Sequence, residues 1–402
     1  MTIIAGTVIL LILIPLTLLV LYQWVLAGVA IANRSRTPFR TIENLTTKFL
    51  VLMPAHNEEV CLKSALRRLK EARYPKELVH AVVIADRCTD QTVMISRSEQ
   101  VECLERTEGR AGKGPAIAWA LEQMRLRREA YDALVILDAD TVIAPEMFKA
   151  FATALVAGYK VQQGFCYISN PWQSLFTRVI AVTSMMRNGL FYAGKTWTGL
   201  PAMLAGTGMC FSREIIDRYG WNSFSVAEDW EFSVELLLNG ERIFFNPQAR
   251  VYQLESIGLR QASRQRLRWA GGRHEVAGSS AWSLVQQGGR RGSCYLVDAA
   301  VTLLAPNYSS QASLAVMTLI GSWVLLDHSW GLLFSWSAAL LLSLGAYFVT
   351  GALLTDSPVK ALYGILMVPV FLPWRLAIEV LGLIGYGRSH WFRTDRVTPP
   401  PR

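Results

Sequence analysis

Several things are scarce in this 402-residue chain, and each scarcity removes a class of protein. Charge is low: Asp, Glu, Lys and Arg make up 18% of residues against a hydrophobic share of 52%, and residues 3–32 carry no charge at all. Such a balance is high for a soluble protein, and the excess lies at the two ends. Cysteine pairing signals are missing. Cys61, Cys88, Cys103, Cys166, Cys210 and Cys294 contain no Cys-x-x-Cys and no regular spacing, so they read as buried free thiols in a reducing compartment rather than a disulfide framework or a zinc site. Glycine fingerprints are also missing. No Gly-x-Gly-x-x-Gly follows the first strand signal, which removes a dinucleotide oxidoreductase. Gly112-Lys113-Gly114 lacks both the upstream glycine and the following Ser or Thr of a P-loop ATPase. No aromatic-plus-basic motif accompanies the net charge of +9, so nucleic acid is not the expected partner. No linker or low-complexity stretch marks an additional domain.

What is present begins with membrane signals. Residues 3–32 exceed the ~20 residues that cross a bilayer core. They are too long for the apolar region of a signal peptide, and Met1-Thr2 supplies no positive charge before them. Residues 311–326 and 330–350 read as a helix pair joined by Asp327-His328-Ser329. Residues 361–373 are short, and Arg375 and Glu379 interrupt the apolar run beyond them, so this piece is expected to be interfacial or re-entrant rather than crossing. Basic flanks at Arg34, Arg36, Arg40 and Lys48, at Arg290 and Arg291, and at Arg388, Arg393, Arg396 and Arg402 place the connecting parts on the cytoplasmic side, in a bacterial inner membrane. The divisions expected are 1–33, a first membrane helix; 45–285, a cytoplasmic domain; 295–387, further membrane or interfacial helices; and 388–402, a cytoplasmic tail.

Between the apolar ends, strand and helix signals alternate. A strand at 49–53 runs into Pro54-Ala-His56-Asn57-Glu58-Glu59, and Leu62, Leu66 and Leu69 share one face of the helix that follows, with Asn57 as its expected N-cap. A strand at 81–85 ends in Asp86. A helix covers 113–128, and an apolar strand at 133–137 ends in Asp138-Ala-Asp140. This alternation predicts an α/β fold with a doubly wound parallel sheet whose acidic loops share one edge. Residues 171–198 mix apolar and aromatic side chains with Arg178, Arg187 and Lys195, which suits either amphipathic helices on a membrane face or core burial. A glycine turn, Gly206-Thr-Gly208, then leads into a strand. Glu228-Asp229 opens a helix through Leu238 that Gly240 stops, and a basic helix over 259–270 carries Gln265-Arg266-Leu267-Arg268-Trp269.

Asp138 and Asp140 point the same way along an extended chain, which suits a hard cation, Mg2+ or Mn2+, with positions left for phosphates. Plainer readings stand beside the functional ones. Asp138-Ala-Asp140 can be a solvated turn, Asn57 and Asp86 can be caps or turn formers, and Glu228 and Asp229 can complement a helix N-terminus. Lys113 can be an ordinary first-turn residue, and Arg268 with Trp269 an interfacial pair.

Taken in order, Pro54-Ala-His-Asn57-Glu58, Asp86, Gly112-Lys113-Gly114, Asp138-Ala-Asp140, Glu228-Asp229 and Gln265-x-x-Arg268-Trp269 resemble the membrane-anchored family 2 glycosyltransferases, a group that includes cellulose, chitin and hyaluronan synthases and is similar to ceramide glucosyltransferases. The resemblance covers roughly residues 45–275. It implies a GT-A nucleotide-diphospho-sugar transferase domain with N- and C-terminal transmembrane helices, a nucleotide sugar donor, commonly UDP-linked, and inversion at the anomeric carbon. By the same resemblance, Pro54, Asn57, Glu58, Asp86, Lys113, Asp138, Gln265 and Arg268 would bind the nucleotide sugar. Asp140 would hold the metal, Glu228 and Asp229 would be catalytic with Asp229 as general base, and Trp269 would face a lipid or glycan acceptor. The chain departs from the family pattern at Ala227, where many polymer synthases carry Thr, and at Gly206-Thr-Gly208, where cellulose synthases carry a different motif. The alternative from another class is a non-catalytic membrane subunit that keeps the fold. A nucleotidyltransferase would release pyrophosphate instead of a nucleoside diphosphate.

Overall fold

The computed structural model describes residues 2–325 and 331–386. Helix α1 (Thr2–Ala32) precedes an eight-stranded sheet made of β1 (Phe49–Ala55), β2 (Val79–Asp86), β3 (Glu102–Arg106), β4 (Ala133–Ile136), β5 (Thr141–Ile143), β6 (Val161–Ile168), β7 (Met209–Ser212) and β8 (Ile243–Gln253). Interleaved with the strands are α2 (Glu59–Lys70), α3 (Thr92–Ser98), α4 (Lys113–Leu126), α5 (Met147–Val156), α6 (Leu175–Met185), α7 (Ala193–Thr198), α8 (Arg213–Tyr219) and α9 (Glu228–Leu238). After the sheet come α10 (Leu259–Arg291), α11 (Cys294–Leu304), α12 (Tyr308–Val324), α13 (Gly331–Leu353), α14 (Pro358–Leu362) and α15 (Val368–Leu383).

The strand order is β3-β2-β1-β4-β7-β6-β8-β5. β3, β2, β1 and β4 are parallel, as the alternation predicted, but the other half is mixed: β7 is antiparallel to β4 and β6, and β5 is antiparallel to β8. The wholly parallel sheet is therefore corrected. β5 and β7 span only three and four residues, too few for a period to show. Alternate residues of β1 feed two cores. Phe49, Val51 and Met53 meet Leu62, Leu66, Phe148 and Phe151 of α2 and α5, whereas Leu50 and Leu52 meet Ile117, Ala120 and Phe232 of α4 and α9. Burial on both faces is why the strand reads as an unbroken apolar run. Pro54 lies in this central strand beyond the last β1–β4 pair, Leu52 with Ile136, where its missing N–H is tolerated.

Residues 171–198 form α6, wide π-helical turns over Met186–Tyr192, and α7. Val182, Met186 and Leu190 are buried in a cluster with Ala27 of α1 and Tyr347 and Ala352 of α13, while Phe191 joins the core of the sheet, so this stretch packs between the apolar helices and the sheet. α1, α12 and α13 share an apolar seam of Ile9, Leu13, Leu16, Ala315, Leu333 and Leu340. Two indoles fasten it in both directions, Trp24 Nε1 donating to Ser343 Oγ and Trp336 Nε1 to Thr17 Oγ1, each at 2.9 Å.

Among the described residues, three helical stretches are long and apolar enough to cross a membrane: Ile3–Ala32, Gly331–Leu353 and Pro358–Leu383. The last replaces the short 361–373 segment of the sequence reading with a continuous 26-residue stretch, whereas α12 has only 17 residues. The expected Asp327-His328-Ser329 turn and the basic tail at Arg388, Arg393, Arg396 and Arg402 lie outside the described residues. Two further expectations are corrected. The basic helix at 259–270 continues to Arg291, because no proline breaks it and glycines inside a well-packed helix are tolerated. All six cysteines are free, but only Cys61, Cys166 and Cys210 are buried; Cys88 and Cys103 are half-buried and Cys294 is exposed.

Candidate active site

The carboxyl ends of β1, β2 and β4 open onto one rim, where open α/β sheets present their chemistry. Two groups of side chains gather there. The first lies beyond β1 and β2. Asn57 does not cap α2, since the capping position is Glu58, whose side chain makes no capping bond. Asn57 instead holds a left-handed backbone, φ 58°, and its Oδ1 accepts from the N–H of Thr89 at 2.7 Å and of Asp90 at 3.3 Å. The adjacent Glu58 N–H donates to Thr92 Oγ1 at 2.9 Å. The loops after β1 and β2 are thus tied side by side. Asp86, 2% exposed, accepts from Arg87 and from Arg106, both at 2.7 Å to Oδ1. Sequence reading missed Arg106. It stands directly opposite Asp86 in the β2–β3 register, and recognising 102–106 as a strand would have found it.

The second group lies beyond β4. The Lys113 ammonium is 2.6 Å from Asp138 Oδ1 and 3.5 Å from Glu228 Oε1, and it donates to the Gly206 carbonyl. A Cβ at Gly206 would stand 3.2 Å from Lys113 Nζ and 3.5 Å from Asp229 Oδ2, so Asp229 completes the cluster. Gly206 also has φ 78°, a left-handed conformation that glycine adopts at little cost. The two groups are joined by the loop before α4, where the Gly112 N–H donates to Asp86 Oδ2 at 3.4 Å.

Buried polar side chains fix the Gly206 turn on every side. Leu204 N–H donates to Ser233 Oγ, Ala205 N–H to Gln163 Oε1, and Gln163 Nε2 to Thr207 O. Thr207 Oγ1 in turn accepts from the Asp138 N–H at 3.0 Å and meets Thr141 Oγ1 at 3.0 Å. From β8, Gln253 Nε2 reaches Asp138 Oδ2 at 3.3 Å. Gly206, Thr207, Gln163, Ser233 and Gln253 were not singled out as site residues in the sequence, because they come together from the turn before β7 and from β6, α9 and β8.

Three carboxylates around one ammonium leave the cluster net negative. Removal from water and the neighbouring Glu228 raise the Asp229 carboxyl to about 7, against the restraining pull of Lys113 and of the Trp230 N–H, which donates to it at 2.8 Å. Burial works against the Lys113 charge, but Asp138, Glu228 and Asp229 outweigh it and hold its proton more tightly than an ordinary lysine. Asp229 is therefore a carboxylate poised to exchange a proton near neutrality.

Asp140, 8% exposed, follows β4 two residues after Asp138. Among the described residues no group of three or more His, Cys, Asp or Glu side chains forms a metal cage. Hard oxygen donors at this strand end fit a different kind of site, one in which Mg2+ or Mn2+ takes one or two carboxylates and completes its shell from substrate phosphates. Gln265, Arg268 and Trp269 lie on α10. Its Gly272, one turn beyond Arg268, rests on Ala227 immediately before Glu228, which brings the helix to the mouth of the cluster. Trp269 is 40% exposed, with the Arg266 guanidinium 4.9 Å from its ring and Arg266 itself paired to Glu255.

The description "Glycosyl transferase family group 2" matches residues 133–378, which hold the Asp138, Glu228-Asp229 and Gln265–Trp269 positions. The chain belongs to this family. Among its relatives, a Bacillus subtilis (strain 168) protein named "Probable glycosyltransferase YdaM" is 28% identical over 57% of this chain and 56% of its own. The poly-beta-1,6-N-acetyl-D-glucosamine synthase of Staphylococcus aureus (strain COL) is 25% identical over 56% of this chain and 54% of its own. The chain thus spans little more than half the length of these curated relatives. Of solved structures, the mannosyltransferase PcManGT of Pyrobaculum calidifontis, described in complex with GDP-Man and Mn2+, covers 86% of this chain and 98% of its own with a TM-score of 0.54 at 17% identity. That likeness extends to the fold, a GT-A-like mixed α/β sheet.

Proposed function

We propose that this family member is an inverting, metal-dependent membrane glycosyltransferase that passes a hexose or N-acetylhexosamine from a nucleotide sugar, UDP-linked, to a lipid or growing glycan. The observation that carries the reading is the Asp229 carboxylate, drawn to about 7 inside a cluster that also contains Lys113 and Glu228. A sugar or lipid hydroxyl is a poor nucleophile until a positioned base accepts its proton during attack. Asp229 takes that proton as the acceptor oxygen bonds to C1 and the C1–O bond to the diphosphate breaks, with inversion. Lys113 keeps Asp229 ionisable near neutral pH, and Glu228 and Asp138 keep Lys113 in place. Asn57, Glu58 and Asp86, tied together at the ends of β1 and β2, line the nucleoside side with Pro54. Asp138, Gln265 and Arg268 face the diphosphate, where fixed positive charge offsets what develops on the leaving group. Asp140 would hold Mg2+ or Mn2+, which when bound supplies further neutralisation of that diphosphate. The exposed face of Trp269 receives the acceptor. The relative named for poly-beta-1,6-N-acetyl-D-glucosamine supports an N-acetylhexosamine donor.

The basic stretch after α1, Arg34 to Lys48, supports a cytoplasmic catalytic domain in a bacterial inner membrane. Glu379 of α15 bonds to α10 and to Asn307 at the start of α12, which supports keeping α15 on the catalytic side rather than across the bilayer. The deciding experiment measures nucleoside diphosphate release by the detergent-purified chain across a panel of nucleotide sugars and lipid extracts, with and without Mn2+ or Mg2+. Metal-dependent release with one donor, lost in Asp229→Asn, is the expected result. Donor binding without release, even with membrane lipid added, would favour a non-catalytic subunit, and pyrophosphate release from a nucleoside triphosphate would indicate nucleotidyl transfer.

A further inference from the structure

Helix α10 is gripped on two opposite faces within a single turn. On one face, Gly272 stands against Ala227, the residue before the Glu228-Asp229 pair: a Cβ there would lie 3.1 Å from the Ala227 Cβ and 3.2 Å from its nitrogen. On the other, α15 closes on the preceding residues. A Cβ at Gly382 would lie 2.7 Å from the Ala270 Cβ and 3.0 Å from the Gly271 nitrogen. One turn earlier on α15, the buried Glu379 carboxylate meets His274 Nε2 at 3.1 Å, Arg273 at 3.6 Å, Arg375 at 2.7 Å and Asn307 Nδ2 at 2.6 Å. At about 100° per residue, Gly272 is about 200° around the helix from Ala270 and from His274. The contacts with α15 and with the start of α9 therefore oppose each other.

We propose that Glu379 and Gly382 are positioning residues for the catalytic pair: α15 clamps α10 against Ala227 and so fixes where Glu228 and Asp229 stand relative to Lys113. The proposal rests on the reading of Asp229 as the base. Donors from three helices converge on Glu379, which leaves the carboxylate one place to sit, and the glycine seats leave α10 no room to slide. A shift of about 1 Å at a reacting group can cost about a hundredfold in rate, so a partial loosening should show in turnover.

The test uses the full chain in detergent and the variants Glu379→Gln, His274→Ala, Gly272→Ala and Gly272→Ala/Ala227→Gly. Expected for Glu379→Gln is a kcat about tenfold lower, an intermediate loss for positioning groups, with any rise in donor KM smaller than the fall in kcat, since Gln265 and Arg268 ride on the same helix. His274→Ala, whose side chain is partly exposed and which leaves the other donors in place, should show a smaller fall of the same kind and carries the test if Glu379→Gln does not fold. Gly272→Ala should lower kcat, and Ala227→Gly should restore part of it, since the backbone nitrogen at 227 stays 3.2 Å away. Combining Glu379→Gln with Gly272→Ala should add little, because both displace the same helix from its place between α15 and Ala227. Independently of turnover, hydrogen exchange at the Trp230, Glu231 and Phe232 amides should rise in Glu379→Gln while the β1 and β4 amides stay protected. An unchanged kcat, a higher donor KM at constant kcat, fully multiplicative effects, or unchanged exchange at 230–232 would overturn the clamp. A parent protein that releases no nucleoside diphosphate with any donor would remove the general-base reading, and the exchange measurement alone would then decide the clamp.

Discussion

Two lysines, one fully buried and one in a partly open cluster, divide this molecule between them. Lys195, in α7, has no exposed side-chain surface and meets one carboxylate, Asp298 of α11, at 2.6 Å, with Thr302 Oγ1 also at 2.6 Å. The other Asp298 oxygen accepts from the Tyr22 hydroxyl of α1, and the Phe191 ring lies 4.8 Å from the ammonium. Charge is balanced one to one, and burial lowers the lysine's hold on its proton even against the pull of Asp298. Lys113 faces Asp138, Glu228 and Asp229, and its hold on the proton is strengthened. A balanced pair is sealed and needs nothing more. The unbalanced cluster retains negative charge that a proton or cation can fill, and that surplus marks a place for chemistry.

The sharpest way to break the contrast is Asp229→Asn. Turnover should fall on the order of a thousandfold, the scale of a lost general base, while thermal stability at pH 8 rises. The sign follows from the raised carboxyl: with a folded value of about 7 against 3.8 when free, the cost of ionising it in the fold builds as pH rises from 3.8 to about 7 and is fully present at pH 8. The gain should shrink toward pH 5, which paired melting curves would show. Lys195→Ala should do the reverse, costing about 3–5 kcal/mol by stranding Asp298 while sparing donor binding in whatever folds. Lys195→Met with Asp298→Leu should recover most of the loss in denaturant titrations.

Lys113→Met removes the main group opposing protonation of Asp229. Its carboxyl should climb further, and the rising limb of kcat/KM should move to higher pH by about one unit. An unmoved limb would separate Lys113 from the base. The smallest effect belongs to Thr302→Val, which removes one hydrogen bond from Lys195: about 1 kcal/mol of stability, with no change in turnover.

The two lysines also differ in how well the sequence announces them. Lys113 sits in a short glycine-flanked motif, and Asp138, Asp140, Glu228 and Asp229 each follow a strand or open a helix that periodicity locates. An ordered set of such signals is visible without coordinates. The partners of Lys195 are 103 residues away in Asp298 and further still in Tyr22, and no local pattern connects them. The same holds for Arg106, which reaches Asp86 only through strand register, and for the mixed half of the sheet, where β5 and β7 are only three and four residues long. Gly272 and Gly382 read as faults in a helix until the neighbours they admit are seen. Local chemistry was legible, whereas pairing across helices depends on tertiary packing that spacing does not encode.

The seam between α1 and the rest has a practical reach. Gly194 of α7 lies so close to α1 that a side chain there would collide with the Leu26 backbone, Leu26 belongs to the same core as the sheet, and Tyr22 packs edge-on against Phe191 at 5.8 Å. Trimming the chain at residue 33 to obtain a water-soluble fragment would strip one wall from that core and open the Lys195–Asp298 pair to solvent. The first helix is a keystone of that core, and preparations of this protein should keep it.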